Sequence, residues 1–211
     1  MMRIGSGSGA KYGLPSWSLS KTMDIHTLYD TETIQAKVSD LGKQIERDLG
    51  DADPWVISIV GGSVLFLADL IRALRQPVRF DFVQVQYSVS AHDGELLEIH
   101  YPISLDVTDQ TLVIIKDVVV SGVIDNYLTS QFRDRGAKRV VFAGLIDVPD
   151  QRTTDFQPDY SLFRAERQGI FVGYGLKHKG RYGSLPYIGQ LTEDDSTGIQ
   201  EGPGSVGTPE S

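Results

Sequence analysis

Apolar residues recur at every third or fourth position in three segments of the chain. The first segment follows Thr31, and its apolar positions are Ile34, Val38, Leu41, Ile45 and Leu49. This spacing predicts an amphipathic helix that ends at Gly50, because glycine accepts the left-handed conformation of a helix stop. A second helix is predicted after Gly61-Gly62-Ser63 and a third after Ser121-Gly122. The residues of the third helix expected to face the core are Ile124, Tyr127, Leu128 and Phe132.

Short apolar runs rich in β-branched residues lie between the predicted helices. They predict buried strands at 55–60, 112–115 and 139–146, and a further strand is predicted at 169–176. The segment from Phe80 to Val89 alternates instead, passes a polar tip at His92-Asp93-Gly94 and returns, which predicts an extended hairpin or flap. Because strands alternate with helices along the chain, the fold class is α/β with a parallel central sheet.

Two of these strands run directly into small residues and then into a helix. The junctions are Gly61-Gly62-Ser63 and Ser121-Gly122. Such a junction presents backbone N–H groups and the positive end of a helix dipole, which together bind phosphate. Glycines also serve tight turns that have no ligand. Phosphate binding and a purely structural turn are therefore two open readings of both junctions.

Composition narrows the function classes. The chain has 20 basic and 28 acidic residues and a net charge of -8, which argues against a nucleic-acid surface. It has no cysteine, so disulfides, thiolate metal sites and a cysteine nucleophile are excluded. The histidines are dispersed, and no metal site is predicted. No apolar run is long enough to span a bilayer and no signal peptide is recognised, so we expect a cytoplasmic protein without membrane contact.

The ends of the chain differ in composition from its centre. Residues 1–22 are rich in glycine and serine and are predicted to be a flexible extension. Residues 192–211 are acidic and lack apolar periodicity, so we expect a disordered tail. The domain itself is predicted to span residues 23–191.

Six segments, in this order, resemble those of the hypoxanthine-guanine phosphoribosyltransferases. They lie between residues 27 and 191 and are Ile34-Gln35-Ala36-Lys37-Val38, the segment 62–72, the segment 112–126, Gln157-Pro158-Asp159-Tyr160, Val172-Gly173-Tyr174-Gly175 and Leu185-Pro186-Tyr187-Ile188-Gly189. The resemblance implies the type I phosphoribosyltransferase fold, with a central parallel sheet flanked by helices and a small hood from the chain ends. It also implies a homodimer or homotetramer. Family members work in purine salvage and join a purine base to the ribose of phosphoribosyl pyrophosphate with magnesium.

Several functional positions of that family are occupied here by residues of different chemistry. Asp117 keeps one acid of the ribose-binding Glu-Asp pair, and Val120 stands where the family has the acid near the purine ring. An isopropyl group cannot carry a proton, so no catalytic residue is assigned. The six charged family positions that have changed are Gly61, Lys116, Val120, Val148, Lys177 and Gly183.

The resemblance also assigns the remaining candidate residues. Those expected to contact a phosphate or another anionic ligand are Gly61, Gly62, Ser63, Lys116, Asp117, Ser121, Gly122 and Lys177. The base pocket is assigned to Val148, Ile170 and Phe171. Because acids of the family have become Lys116 and Lys177, we expect both ammonium groups to face one cavity and to replace the metal electrostatically.

We therefore predict a phosphoribosyltransferase-like protein that has lost the purine reaction. It would bind a nucleotide, another small phosphate-bearing anion or a protein partner. No cofactor is expected, and magnesium only if the family activity is retained. Two alternatives stay open: an active purine phosphoribosyltransferase, and a transferase with metal-independent chemistry that uses Lys116, Lys177 and His178.

Overall fold

The computed structural model describes residues 24–90, 94–102, 105–166 and 169–191. The predicted extension, the predicted acidic tail and the hairpin tip at His92-Asp93 lie outside these ranges. The helices are α1 (Thr31–Leu49), α2 (Val64–Ala73) and α3 (Val123–Asp134). The strands are β1 (Ile25–Tyr29), β2 (Trp55–Ile59), β3 (Arg79–Ser90), β4 (Gly94–His100), β5 (Thr111–Val119), β6 (Arg139–Asp147), β7 (Tyr160–Arg164), β8 (Phe171–Val172) and β9 (Ile188–Leu191).

The central sheet has six strands in the order β4-β3-β2-β5-β6-β7. All neighbouring pairs are parallel except β3 with β4, which form the predicted antiparallel hairpin at one edge. The ends of the domain meet in a second, three-stranded sheet of order β1-β9-β8. The predicted α/β fold with a hood from the chain ends is therefore confirmed.

Side chains of the central strands alternate between two apolar cores. Val113 and Ile115 of β5 pack on the side of α1 and α2, whereas Leu112 and Ile114 pack on the side of α3. Burial on both faces explains why β5 reads as a continuous apolar run in the sequence. The sheet is thus fixed between two layers of helix, and its strand ends can carry a site.

Local signals explain where the helices begin and where two predictions differ from the structure. The Asp30 carboxylate accepts a hydrogen bond from the Thr33 N–H (2.8 Å) and caps α1.

Tyr127 was expected in the core, but 44% of it is exposed. The buried face of α3 is formed by Asp125, Leu128, Thr129 and Phe132, which is the same helical stripe displaced by one position. The strand predicted at 169–176 is restricted to Phe171–Val172, because the chain turns at Gly173, where φ is 89°.

Candidate active site

A cleft lies where β2 and β5 end beneath the hood, and it encloses about 360 Å³. Small-molecule sites commonly have volumes of this order. It contains one acidic and one basic side chain among mostly apolar ones and glycines. The residues that line it are Gly61, Gly62, Asp117, Val118, Val120, Gly169, Ile170, Phe171, Leu176 and Lys177.

Two backbone segments close one side of this cleft. The loop after β2 and the turn at 173–176 approach so closely that a side chain on Gly175 would meet the carbonyl oxygen of Gly62. Tyr174 anchors the turn, because its buried hydroxyl donates to Asp69 of α2 (2.6 Å). Burial and this hydrogen bond raise the pKa of Tyr174, so the phenol keeps its proton. Glycine is therefore required at position 175 by the close packing of these two segments.

Asp117 is the acid of the cleft, and its carboxylate is held by the backbone. One oxygen accepts the Gly62 N–H and the other accepts the Val118 N–H, both at 2.8 Å. A Cβ on Gly62 would lie 2.8 Å from this carboxylate and 2.9 Å from Leu176. Gly62 and Asp117 are therefore in direct contact in the cleft.

Lys177 is the cation of the cleft and is exposed. Its aliphatic stem lies against Gly183, where a Cβ would be only 2.7 Å from Lys177 Cγ. A side chain at position 183 would therefore require the stem of Lys177 to shift.

Lys116 lies elsewhere, which corrects the expectation that the two lysines face one cavity. Its ammonium group is 2.6 Å from Asp125 Oδ1 in the first turn of α3. The two side chains are 15% and 1% exposed, so the ion pair is buried. Because an ammonium group held in this way is neutralised, Lys116 adds no free positive charge to the cleft.

Asp125 sits in an unusual environment for an acid. Burial raises the pKa of Asp125, and the attraction of Lys116 opposes that rise. Its second oxygen has no hydrogen-bond partner among the described residues. A second buried pair, between Arg152 and Asp147, lies close enough for Arg152 to stabilise the charge of Asp125. The β5–α3 junction thus rests on four buried charges.

The predicted phosphate loop, Ser121-Gly122, lies next to the cleft and is partly covered. The Ser121 carbonyl accepts the Thr153 N–H (3.0 Å), which ties the segment after β6 to the loop. Gly122 has φ 80°, and a Cβ there would lie 2.5 Å from Thr154 Oγ1 and 2.8 Å from Arg152 Cδ. Glycine is therefore necessary both for the backbone conformation and for the packing.

Two other assigned residues face the interior. The hydroxyl of Ser63 is buried between Ser58 Oγ (2.9 Å) and the Ile59 carbonyl (2.5 Å), so it is not available to a ligand. Val148 is fully buried in the apolar core and does not line the base pocket. Ile170 and Phe171 line the cleft, and their role as a base pocket stays a prediction.

The sequence reading missed Asp125 and Arg152. Asp125 had a usable signal, since it shares a helical stripe with Leu128, Thr129 and Phe132 and so had to be buried. An acid on an apolar stripe needs a cation, and Lys116 was the nearest one in the sequence. Arg152 gave no such signal, because it comes from a polar segment without periodicity.

Residues 24–179 match the phosphoribosyl transferase domain family. The chain belongs to the phosphoribosyltransferases. The hypoxanthine-guanine phosphoribosyltransferase of Bacillus subtilis is 34% identical over 165 residues, which cover 78% of this chain and 91% of that protein. The enzyme of the same name from Streptococcus mutans is 31% identical over 169 residues, 79% of this chain and 93% of that protein. The crystal structure of a Bacillus anthracis hypoxanthine-guanine phosphoribosyltransferase superposes with a TM-score of 0.72 at 30% identity and covers 81% of this chain and 100% of that one.

Phosphoribosyltransferases of this kind work with magnesium. Hydrated magnesium is held by carboxylate and phosphate oxygens. Here both oxygens of Asp117 already accept backbone N–H groups, and the other charged residue of the cleft is Lys177. No cluster of three or more potential metal ligands occurs in the described part of the chain. A single carboxylate beside a lysine is an electrostatically poor environment for a divalent cation.

None of the helices in the described ranges is long and apolar enough to cross a membrane.

Proposed function

We propose that this phosphoribosyltransferase relative no longer transfers phosphoribosyl groups to purines and instead binds a small phosphate-bearing molecule, such as a nucleotide, without magnesium. One observation carries the proposal. The acid of the cleft is held by two backbone N–H groups, while Lys177 makes no ion pair with any described acid. The two N–H groups partly compensate the negative charge of Asp117, and Lys177 is left as the cation that can attract an anion and repel a divalent cation.

The apolar wall of the cleft supports the loss of the transfer reaction. Val120 lines the cleft where the family places a carboxylate, and neither Ile170 nor Phe171 titrates. Removing a positioned acid or base commonly costs about 10²–10⁴ in rate, and removing one electrostatic contact costs about 10²–10³. Such losses are not additive, but several together leave little of a rate enhancement.

The first turn of α3 supports phosphate binding. Gly122 is its N-cap and provides no side-chain acceptor, and the Val123 N–H donates to Ser121 Oγ (3.4 Å), so the other N–H groups of the first turn would be the ones to bind an anion. The Arg152 side chain packs beside Gly122, and its Nη1 has no hydrogen-bond partner among the described residues. Because the Arg152 guanidinium is already paired with Asp147, the helix dipole and the backbone N–H groups would supply the attraction for an anion at this helix end.

A direct assay tests the lost reaction. The protein is incubated with phosphoribosyl pyrophosphate, magnesium and hypoxanthine, guanine or xanthine, and nucleotide formation is followed. We expect no product above a control without protein, and no tight magnesium-dependent binding of phosphoribosyl pyrophosphate in calorimetry. Inosine or guanosine monophosphate formed well above that control would establish an active purine phosphoribosyltransferase instead.

Hydrogen exchange tests the binding site. A nucleoside monophosphate at millimolar concentration, with EDTA present, should slow exchange at residues 120–126 and leave β6 unchanged as an internal control. Lys177→Gln should weaken this protection, because it removes the cation of the cleft. Unchanged exchange at 120–126 would mean that the junction is only structural.

The quaternary state and the location are further parts of this proposal. We propose a homodimer or homotetramer in the cytoplasm. Val60, Val64 and Leu65 flank the cleft loop and are 49%, 45% and 40% exposed, which gives an apolar patch for a second copy. Sedimentation of the wild type and of Leu65→Glu tests this. A monomeric wild type would instead leave the patch to a different protein partner.

A further inference from the structure

We propose that the hairpin 177–182 is a metal-independent binding arm for the phosphate chain of a ligand with two or more phosphates. This deepens the proposed function, on which it rests for the end of the ligand that lies in the cleft. The arm carries Lys177, Lys179 and Arg181 within five residues. All three side chains are exposed.

The surroundings of the arm leave its positive charge unbalanced. The chain as a whole has a net charge of -8, yet no acidic residue occurs between Glu166 and Glu193. No described acid makes an ion pair with the three cations of the arm, whereas cations elsewhere pair, as Lys43 does with Asp40 and Arg79 with Asp53. The arm is thus a concentrated positive patch on an acidic protein.

The backbone holds these cations in a defined place. His178 and Arg181 exchange two backbone hydrogen bonds, of 3.1 and 2.9 Å. Lys179 and Gly180 between them have φ values of 49° and 74°, the left-handed pair of a tight two-residue hairpin turn. The Gly175 N–H donates to the Gly183 carbonyl (2.9 Å) and joins the base of the arm to the turn at 173–176. The arm is therefore anchored and does not have to be ordered by the ligand.

Position and charge together indicate the class of ligand. Lys177 lines the cleft, so the arm begins inside the site and extends beyond it. A phosphate monoester carries at most about two negative charges, which Lys177 and the end of α3 can balance. Three cations can balance a longer phosphate chain, which carries more negative charge. Because ammonium and guanidinium groups supply the counter-charge themselves, no metal is needed.

Calorimetry in EDTA with inorganic phosphate, pyrophosphate and tripolyphosphate tests the arm. We expect tripolyphosphate to bind at least about tenfold more tightly than phosphate, a gain of about 1.4 kcal/mol. The gain should shrink at high salt because it is electrostatic. In the double variant Lys179→Gln/Arg181→Gln, tripolyphosphate and phosphate should bind with similar affinity. Arg133→Gln/Lys138→Gln removes the same charge from the far end of α3 and from the residue before β6, and should keep the gain.

The outcomes separate this inference from the proposed function. The arm would not be a polyphosphate-binding site if all three probes bound with equal affinity. The same would follow if the control variant lost the gain as fully as Lys179→Gln/Arg181→Gln does, or if binding required magnesium. If phosphate then still protects residues 120–126 from exchange, the proposed function stands without it. If tripolyphosphate binds through the arm while no monophosphate occupies the cleft, the inference about the arm is correct and the proposed function is wrong.

Discussion

Replacing Lys116 by methionine tests the buried ion pair with Asp125. Methionine keeps the length and most of the volume of the side chain but removes its charge. The Asp125 carboxylate then remains almost fully buried, with neither oxygen paired to a cation at hydrogen-bonding distance. Breaking a buried pair in this way costs about 3–5 kcal/mol, because the remaining charge is desolvated without compensation. We expect a loss of this size in the free energy of unfolding.

The loss should depend on pH in a defined direction. Burial already raises the pKa of Asp125 above its unfolded value, and Lys116 limits that rise. Without the ammonium group the pKa rises further, so the folded variant takes up a proton that the unfolded chain has released. Its stability therefore falls as pH rises from the unfolded pKa to the folded one. Lys116→Met should be closer to the wild type near pH 5 than near pH 8.

Urea unfolding followed by circular dichroism at both pH values measures the effect. Lys43→Met is the matched control, because Lys43 and Asp40 form the same kind of pair at 3.0 Å but are 53% and 77% exposed. Exposed pairs contribute about 1 kcal/mol or less. The double variant Lys116→Met/Asp125→Asn should recover much of the loss. If Lys116→Met costs no more than Lys43→Met, the ion pair is not buried in solution and the argument is wrong.

Three further predictions follow from close contacts. Gly183→Arg should destabilise the protein by about 1–3 kcal/mol because its Cβ meets Cγ of Lys177, and Gly183→Arg/Lys177→Ala, which removes that atom, should relieve the loss in thermal unfolding; equal losses would contradict the contact. Gly122→Ala should cost at least about 1 kcal/mol, since φ is 80° and Thr154 blocks the Cβ, and should abolish the exchange protection at 120–126; a neutral effect would refute it. Tyr174→Phe should cost about 1 kcal/mol by removing the bond to Asp69, read as a shift in the urea midpoint that Tyr187→Phe does not share.

The α/β fold class was accessible from the sequence for a physical reason. Helical and strand periods are local, so the apolar stripe of α1 and the continuous run of β5 reveal their elements without knowledge of the partners. The glycines at the strand ends likewise marked the edge of the sheet where the cleft lies. Short strands with few residues, such as β1 and β9, carry too little pattern, and they gain definition only by pairing with each other.

Side-chain direction was decided by the tertiary structure. Lys116 and Asp125 are nine residues apart, and they meet only because the chain reverses from β5 into α3. Val148 was assigned to the base pocket by the resemblance, but in the structure it packs against other apolar residues in the core. The sequence alone determined the three helices, the strands β2, β5 and β6, the β3–β4 hairpin and their order. The tertiary structure decided which charged side chains face the cleft. A charge in the interior needs an oppositely charged partner, because leaving it unpaired there costs a large desolvation free energy.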